Sequence, residues 1–263
     1  MIASNKIIGL RKDVSSATII LQRPDCRNAL NRTMVDLLIE AFEDFQQERK
    51  VRALILTGSG QSFCSGTDLR EIQQTREEKE ALDIWYRDVN RLQELIEIML
   101  RFPKPIICAI HGPAMGTGLA LALASDIVIA SRNASFAMPE GQVGLTAGIT
   151  APLLAFRLGM TNAASLLYTG QPMDAESAQR VGLVQNLVED DMVWVQAHEI
   201  AKQCAGNAIQ SVQMTKQLLN ETVGENLFTQ LSIGAANMAT ARTTDIAAQG
   251  IEAFFDKKPM EWD

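Results

Sequence analysis

The segment HGPAMGTGLALALASD (residues 111–126) joins a glycine-rich turn to a continuous apolar run. Glycine allows a tight backbone turn, and the free N–H groups at the start of a helix attract negative charge. The segment therefore predicts a turn followed by an apolar helix, and the first N–H groups of such a helix can hold a developing negative charge. It contains no carboxylate before Asp126, so an acid or base for such a site must come from elsewhere in the chain.

Strand-like and helix-like segments alternate around this segment. Apolar residues from Met34 to Phe45 recur on one helical face, which predicts a helix capped near Asn31 or Thr33. The charged segment 68–100 predicts further helix, with a break inside 73–80. Buried strands are predicted for four short apolar segments: ATIILQ (17–22), RALILTG (52–58), KPIICAIHG (104–112) and DIVIAS (126–131).

The second half of the chain has a different character. From about Ala151 onward the patterns are helical, and the main strand signal is VQNLV (184–188). No Ser-, Gly- or Pro-rich linker separates the halves. The sequence therefore predicts one α/β core, residues 1–195, with a helical C-terminal region, residues 196–263, that packs on the core or on a partner subunit.

Composition limits the class of protein. Hydrophobic residues make up 47% of the 263 residues and charged residues 21%, which is enough to build a large core. The formal net charge of −7 argues against nucleic-acid binding, because no basic excess is available to neutralise phosphates.

Targeting and redox features are sparse. The N-terminal segment lacks the apolar region of a signal peptide, and the apolar run 119–130 is too short to cross a bilayer, so a soluble cytoplasmic protein without membrane contact is expected. The four cysteines have no metal-ligand spacing, which predicts reduced thiols and no metal site.

Two glycine turns follow predicted strands and are candidates for one anion site. Gly66 and Thr67 lie in SFCSGTDLREI (62–72), and Gly116 and Thr117 lie in the segment quoted above. Backbone N–H groups from both turns, converging on one carbonyl oxygen, would form an oxyanion hole. The alternative is ordinary helix capping, with Thr67 or Asp68 as the N-cap residue.

Glu140 is the carboxylate with the most unusual surroundings. It lies in ASFAMPEGQVGL (134–145), behind a proline and among apolar residues. Desolvation there would raise its pKa toward neutrality, as a general acid or base requires; the alternative is an exposed turn residue. The chain has no Walker A, GxGxxG or GxSxG motif, and His111 and His198 are predicted to serve packing, so nucleotide chemistry and a serine hydrolase are disfavoured.

Taken together, six segments resemble the crotonase (enoyl-CoA hydratase/isomerase) superfamily, in family order from about residue 19 to residue 258. The resemblance implies an α/β fold built as a spiral of ββα units, with C-terminal helices that form a homotrimer or a dimer of trimers. The matching segments are LQRPDCRNALN (21–31), ALILTGSGQSFCSGTDL (53–69), PKPIICAIHGPAMGTGLALALASDIVIAS (103–131), ASFAMPEGQVGL (134–145), LYTGQPMDAESAQRVGLV (167–184) and GIEAFFDKK (250–258).

The resemblance also implies the site. Family members bind an acyl-CoA thioester, so coenzyme A belongs to the substrate and no separate cofactor is expected. By motif position, the backbone N–H groups of Thr67 and Thr117 would hold the thioester oxygen, and the second glutamate of the family matches Glu140. Coenzyme A contacts would fall on Arg27, Ala29 and Asp68 and, from a neighbouring subunit, on Phe255 and Lys258.

The sequence departs from the hydratase pattern at the first glutamate, where Ala120 stands. Loss of one member of a catalytic pair typically costs orders of magnitude in rate. One glutamate suffices for a Δ3,Δ2-enoyl-CoA isomerase, so isomerisation with Glu140 as the sole base is predicted. The alternatives are a hydratase, another crotonase-type lyase or decarboxylase, and a non-catalytic acyl-CoA binder. The segment TAGITAPLLAF (146–156) replaces a glycine-rich family run and indicates a different acyl pocket.

Overall fold

A computed structural model describes residues 7–260 and residue 262. Within them, nine strands form a six-stranded sheet in the order β1-β2-β3-β4-β6-β9 and a three-stranded sheet in the order β5-β7-β8. The strands are β1 (Ile8–Lys12), β2 (Ser16–Leu21), β3 (Ala53–Gly58), β4 (Ile106–Ile110), β5 (Ala114–Met115), β6 (Ile127–Ser131), β7 (Ser135–Ala137), β8 (Met173–Asp174) and β9 (Asn186–Val188).

Ten α-helices connect and cover these sheets in the described part of the chain. They are α1 (Arg32–Gln47), α2 (Leu69–Thr75), α3 (Ala81–Arg101), α4 (Thr117–Ala124), α5 (Thr150–Thr169), α6 (Ala175–Arg180), α7 (Val193–Ala205), α8 (Ile209–Gln217), α9 (Glu225–Arg242) and α10 (Asp245–Asp256). The repeating order ββα is visible in β1-β2-α1, in β4-β5-α4 and in β6-β7-α5.

The large sheet is buried on both faces. Its strands run parallel from β2 to β9, and β1 pairs with β2 in the antiparallel sense. Because side chains alternate along a strand, Leu54 and Cys108 face the main core, whereas Ile55 and Ile107 face α7 on the other side. Helices on both faces explain why these strands are almost continuously apolar.

The predicted helix boundaries of the first half are confirmed. The side chain of Asn31 caps α1 by accepting a hydrogen bond from the Met34 N–H at 3.0 Å. The predicted break is the gap between α2 and α3. Helix α4 is buried along its whole length, since it passes through the middle of the core with apolar residues on every side.

The C-terminal helices α7, α9 and α10 pack on different parts of the molecule. The predicted boundary at 195/196 falls inside α7, whose Ala197 and Ala201 pack on the large sheet. Helix α9 packs on α3 and α5, and α10 packs on the short 3-10 helix Pro139–Val143. A Cβ atom on Gly250 of α10 would lie 2.5 Å from the Val143 carbonyl oxygen, so the two segments are in close backbone contact. No helix among the described residues has the length and hydropathy needed to cross a membrane.

Candidate active site

Two glycine turns approach each other at one end of α4. Gly66 has φ +92° and Gly116 has φ +54°, conformations that side chains with a Cβ atom adopt only with strain. A Cβ atom on Gly66 would lie 2.9 Å from the Met115 carbonyl oxygen and 3.1 Å from the Thr117 nitrogen. Glycine at position 66 therefore permits the two turns to touch.

The residues after both glycines are joined through their side chains. The hydroxyl oxygens of Thr67 and Thr117 lie 3.0 Å apart and form a hydrogen bond. Around Thr67, Leu30 donates its N–H to Gly66 and accepts from the N–H of Asp68, so the Thr67 N–H points away from this backbone pairing. Among the described residues, neither the Thr67 nor the Thr117 N–H has a hydrogen-bond acceptor.

Helix α2 is capped by Asp68 and not by Thr67. The Asp68 side chain accepts a hydrogen bond from the Arg70 N–H at 3.1 Å. Capping thus accounts for Asp68 and leaves the Thr67 N–H available to a ligand. Two unpartnered N–H groups on adjoining turns are the arrangement that holds an oxyanion.

Glu140 lies in the 3-10 helix Pro139–Val143, against the second turn. A Cβ atom on Gly116 would lie 2.6 Å from its Oε1 atom, so only glycine leaves room for the carboxylate. Its Oε2 atom is buried without a hydrogen-bond partner among the described residues. Desolvation raises the pKa of Glu140 to about 7, against a smaller opposite effect of a hydrogen bond with its own backbone. Glu140 is thus a half-buried residue whose Oε2 atom is buried and unpaired among the described residues.

A cavity of about 150 Å³ joins these groups. Thr67, Gly116 and Glu140 all line it, and Glu140 is the only carboxylate among its lining residues in the described chain. Ala120 is fully buried in α4 and is not among them. Apolar side chains form much of the remaining wall: Leu69, Ile72, Val143, Leu145, Met238 and Phe254.

The residues predicted to contact coenzyme A lie on the loop between β2 and α1 and on the turn beside it. Arg27 is exposed with φ 55°, and Ala29 is buried. Asp68 forms an ion pair with Arg23, whose Nη2 atom lies 2.9 Å from its Oδ2 atom. The Asn28 side-chain amide holds the loop on the neighbouring segment by donating to the carbonyl oxygens of Ser59, Ser62 and Phe63.

The two predicted C-terminal contacts lie at the end of α10 and just after it. Phe255 packs beside a small cluster that includes Ile72, Trp85 and Ile251 of the same chain. Lys258 is exposed and forms an ion pair with Asp256 at 2.8 Å. The neighbouring Phe254 lines the catalytic cavity.

Sequence reasoning missed one charged group of the cavity, Arg242 at the end of α9. Met238 and Arg242 are four residues apart and therefore share a helical face, and an arginine on an otherwise apolar face was the available signal. Both histidines lie outside the cavity. His111 contacts the Gly60 carbonyl oxygen at 2.9 Å, and His198 stacks on Trp194.

Comparison with known proteins defines the class of this chain. A family model described as enoyl-CoA hydratase/isomerase matches residues 11–263. The short-chain-enoyl-CoA hydratase of Clostridium acetobutylicum is 33% identical over 260 residues, which cover 98% of this chain and 97% of that protein. The 1,2-epoxyphenylacetyl-CoA isomerase of Escherichia coli is 31% identical, covering 93% of this chain and 94% of that protein.

A solved structure agrees with these matches. The enoyl-CoA hydratase/isomerase of Mycobacterium paratuberculosis superimposes with a TM-score of 0.87 at 25% identity, covering 94% of this chain and 98% of that one. The chain therefore belongs to the enoyl-CoA hydratase/isomerase family of the crotonase superfamily, and the resemblance stated above, including the fold, is confirmed. It is an acyl-CoA enzyme of this family, whose relatives carry the names of both hydratases and isomerases.

Proposed function

We propose that this protein is a Δ3,Δ2-enoyl-CoA isomerase in which Glu140 is the sole acid–base group. The observation that carries the proposal is that Glu140 is the one carboxylate, among described residues, lining a cavity that is also lined by Thr67 and by Gly116, the residue before Thr117. A double-bond shift needs a single group that accepts a proton at one carbon and returns it at another. One carboxylate meets that requirement.

In the proposed reaction, ionised Glu140 removes a proton from C2 of a 3-enoyl thioester. The electron pair of the broken C–H bond moves toward the thioester carbonyl and gives a dienolate. The N–H groups of Thr67 and Thr117 hydrogen-bond the negatively charged oxygen. Protonated Glu140 then returns the proton to C4, the double bond forms between C2 and C3, and the carbonyl is restored, so no other reactant is consumed.

The environment of Glu140 suits this double role. A group with a pKa of about 7 is partly ionised at neutral pH and is also an effective acid once protonated. Its Oε2 atom has no competing hydrogen bond within the described residues, so the substrate proton meets a free acceptor. The glycine turn at 116 keeps the carboxylate beside the threonine turns.

Hydration would require a second group to activate water. Ala120 stands where hydratases of this family have that glutamate, and its side chain is fully buried without a proton to transfer. Isomerisation is therefore favoured over hydration, and the alternatives of a lyase, a decarboxylase or a non-catalytic acyl-CoA binder become outcomes of the test below.

The proposal includes the rest of the substrate and the assembly. Arg27, Ala29 and Asp68 would contact coenzyme A on one chain, and Phe255 and Lys258 would reach it from a neighbour. The assembly would be a homotrimer or a dimer of trimers. Support for an interface comes from a groove that exposes large apolar side chains of α5 and α9, among them Met160, Tyr168 and Ile233.

The decisive experiment follows 3-hexenoyl-CoA by the absorbance of the conjugated 2-enoyl thioester. The wild-type protein should convert it, and Glu140→Gln should lower kcat/KM by about 10³-fold or more, because the amide cannot accept the C2 proton. Glu176→Gln is the matched control, since this glutamate is exposed on α6 and should leave the rate unchanged.

The pH dependence gives a second readout on the same assay. Because Glu140 must be ionised to act as the base, kcat/KM should rise about tenfold per pH unit up to about pH 7 and then level off. Full activity in Glu140→Gln, or faster hydration of 2-butenoyl-CoA than isomerisation, would refute the proposal. Thioester binding without any turnover would instead indicate a non-catalytic binder.

A further inference from the structure

Arg242 is a buried cation whose Nη1 atom has no hydrogen-bond partner in the described part of the chain. It ends α9 and is only 3% exposed. Its Nη1 atom makes no hydrogen bond with any described residue and lies 3.9 Å from Asp88 Oδ2. Burial lowers its pKa to about 10, so desolvation of this guanidinium outweighs its attraction to nearby carboxylates. A buried charge in this state is costly unless a partner arrives.

The nearest carboxylate already has a partner. Arg32 donates from Nε to Asp88 Oδ1 at 2.7 Å and from Nη2 to Asp88 Oδ2 at 2.9 Å. This two-point pair is the geometry that guanidinium and carboxylate groups prefer. Asp88 therefore binds Arg32 through both of its oxygens, and Arg242 has only the 3.9 Å contact with Asp88.

Arg242 lies where two cavities meet. Together with Thr67 and Ile72, it lines both the catalytic cavity and a second cavity of about 420 Å³. The second cavity lies among residues of α1, α2 and α3. The acyl chain of a thioester whose oxygen is held at Thr67 would lie beside this second cavity, and Arg242 lines both cavities.

The second cavity is lined by four arginines and four carboxylates, and its arginines differ in how closely they are paired. Arg32 pairs with Asp88, and Arg91 pairs with Asp36. Asp68 also lines the cavity, but Arg23, which does not, neutralises it. The remaining charged residues are two arginines, Arg87 and Arg242, against one carboxylate, Glu71, whose pKa burial raises.

We infer that the acyl group of the substrate carries a carboxylate at the end remote from the thioester, and that Arg242 binds it. The preferred substrate class is then the coenzyme A monothioester of a dicarboxylic acid. A carboxylate would supply the hydrogen-bond acceptor and the charge that Arg242 lacks, whereas a plain alkyl chain would leave the guanidinium buried and unpaired. This inference deepens the proposed function and rests on it for the position of the thioester.

The test measures binding of unreactive, saturated thioesters by titration calorimetry. Adipyl-CoA carries the terminal carboxylate, hexanoyl-CoA is the alkyl analogue, and 6-hydroxyhexanoyl-CoA carries a neutral oxygen. Wild-type protein should bind adipyl-CoA at least about tenfold more tightly than hexanoyl-CoA, with the hydroxy compound between them, because a charge-assisted hydrogen bond exceeds a neutral one.

Variants assign the preference to one side chain. Arg242→Met should reduce the adipyl-to-hexanoyl ratio to about 1, and Arg242→Lys should restore part of it. Arg101→Met, an exposed arginine on α3, is the matched control and should keep the wild-type ratio. Should Arg242→Met fail to fold, Arg242→Lys carries the assignment, and equal or tighter wild-type binding of hexanoyl-CoA still overturns the inference.

Failure of this inference and failure of the proposed function are distinguishable. Equal or tighter wild-type binding of hexanoyl-CoA, or an unchanged ratio in folded Arg242→Met, overturns the role of Arg242 even when 3-hexenoyl-CoA is isomerised. Conversely, saturated thioesters have no double bond to move, so the carboxylate preference is measured whether or not the isomerase assay succeeds.

Discussion

Two half-buried carboxylates in this molecule, Asp126 and Glu140, differ in how fully they are hydrogen-bonded. Asp126 Oδ2 accepts hydrogen bonds from the Lys216 ammonium and from the Ile106 N–H, each at 2.7 Å. Glu140 Oε2 accepts none among the described residues. The first site ties α8 to the end of β4, whereas the second keeps its bonding capacity free. Buried polar groups are normally satisfied, so the exception marks where a ligand is expected.

The largest effect should come from breaking the satisfied site. Lys216→Met removes a fully buried ammonium and leaves Asp126 with the backbone contact, which should lower the free energy of unfolding by about 3 kcal/mol, since Asp126 keeps partial exposure. Chemical denaturation measures this change. The activity of the folded fraction should remain at the wild-type level.

The matched control for this prediction is an exposed lysine pair. Lys202 lies 2.7 Å from Glu199, with half of each side chain exposed, and Lys202→Met should leave stability unchanged. A Lys216→Met protein with wild-type stability and low activity would contradict this prediction. It would show that the Asp126–Lys216 pair serves catalysis and not stability.

Removing the charge of Glu140 should raise the free energy of unfolding, whereas Lys216→Met should lower it. The pKa of Glu140 is raised from 4.5 to about 7 on folding, so the stability associated with its protonated form is complete below pH 4.5 and is lost as the pH rises through 7. Glu140→Gln stays neutral. It should be more stable than wild type by roughly 3 kcal/mol at pH 8 and equal to it near pH 4.5.

Thermal or chemical unfolding of both proteins across this pH range measures the difference. A Glu140→Gln protein that is less stable than wild type at pH 8 would show that the carboxylate has stabilising contacts. In that case the conclusion that Glu140 Oε2 has no partner would be wrong.

The smallest effect concerns the hydroxyl pair. Thr117→Val removes the hydroxyl that meets Thr67 at 3.0 Å but keeps the backbone N–H, so stability should fall by about 1 kcal/mol and kcat/KM by less than tenfold. Unfolding and kinetic assays on one preparation give both numbers. A more than 100-fold loss of kcat/KM in Thr117→Val, with no loss in Thr67→Ser, would contradict this prediction. It would show that the Thr117 hydroxyl, and not the backbone N–H alone, contacts the oxyanion.

Local features of the fold were predictable because their determinants lie close together in the chain. The Asn31 side chain caps α1 by binding a residue three positions away. The glycines at 66 and 116 indicate turns from the local sequence alone. Glu140 was recognisable for the same reason, since its proline and apolar neighbours already indicated desolvation. The overall fold was predicted from the six segments that resemble the crotonase superfamily and occur in the family's order.

Groups that depend on distant packing were not predictable. Arg242 is buried because α9 packs on α3, which brings it toward Asp88 more than 150 residues earlier in the chain. Lys216 reaches Asp126 only after α8 settles beside the sheet. In the sequence, Lys216 resembles an ordinary basic residue on a helix, and Arg242 differs from one only by sharing a helical face with apolar residues such as Met238.

The close contact between Gly250 and Val143 has a consequence for biosynthesis. The segment that carries Glu140 is covered by α10, and Met238, Arg242 and Phe254 of α9 and α10 close the cavity. A ribosome releases these helices after the sheet and its first helices. The nascent chain therefore passes through a stage with a formed sheet and an open catalytic cavity, and the site closes only after α9 and α10 have emerged.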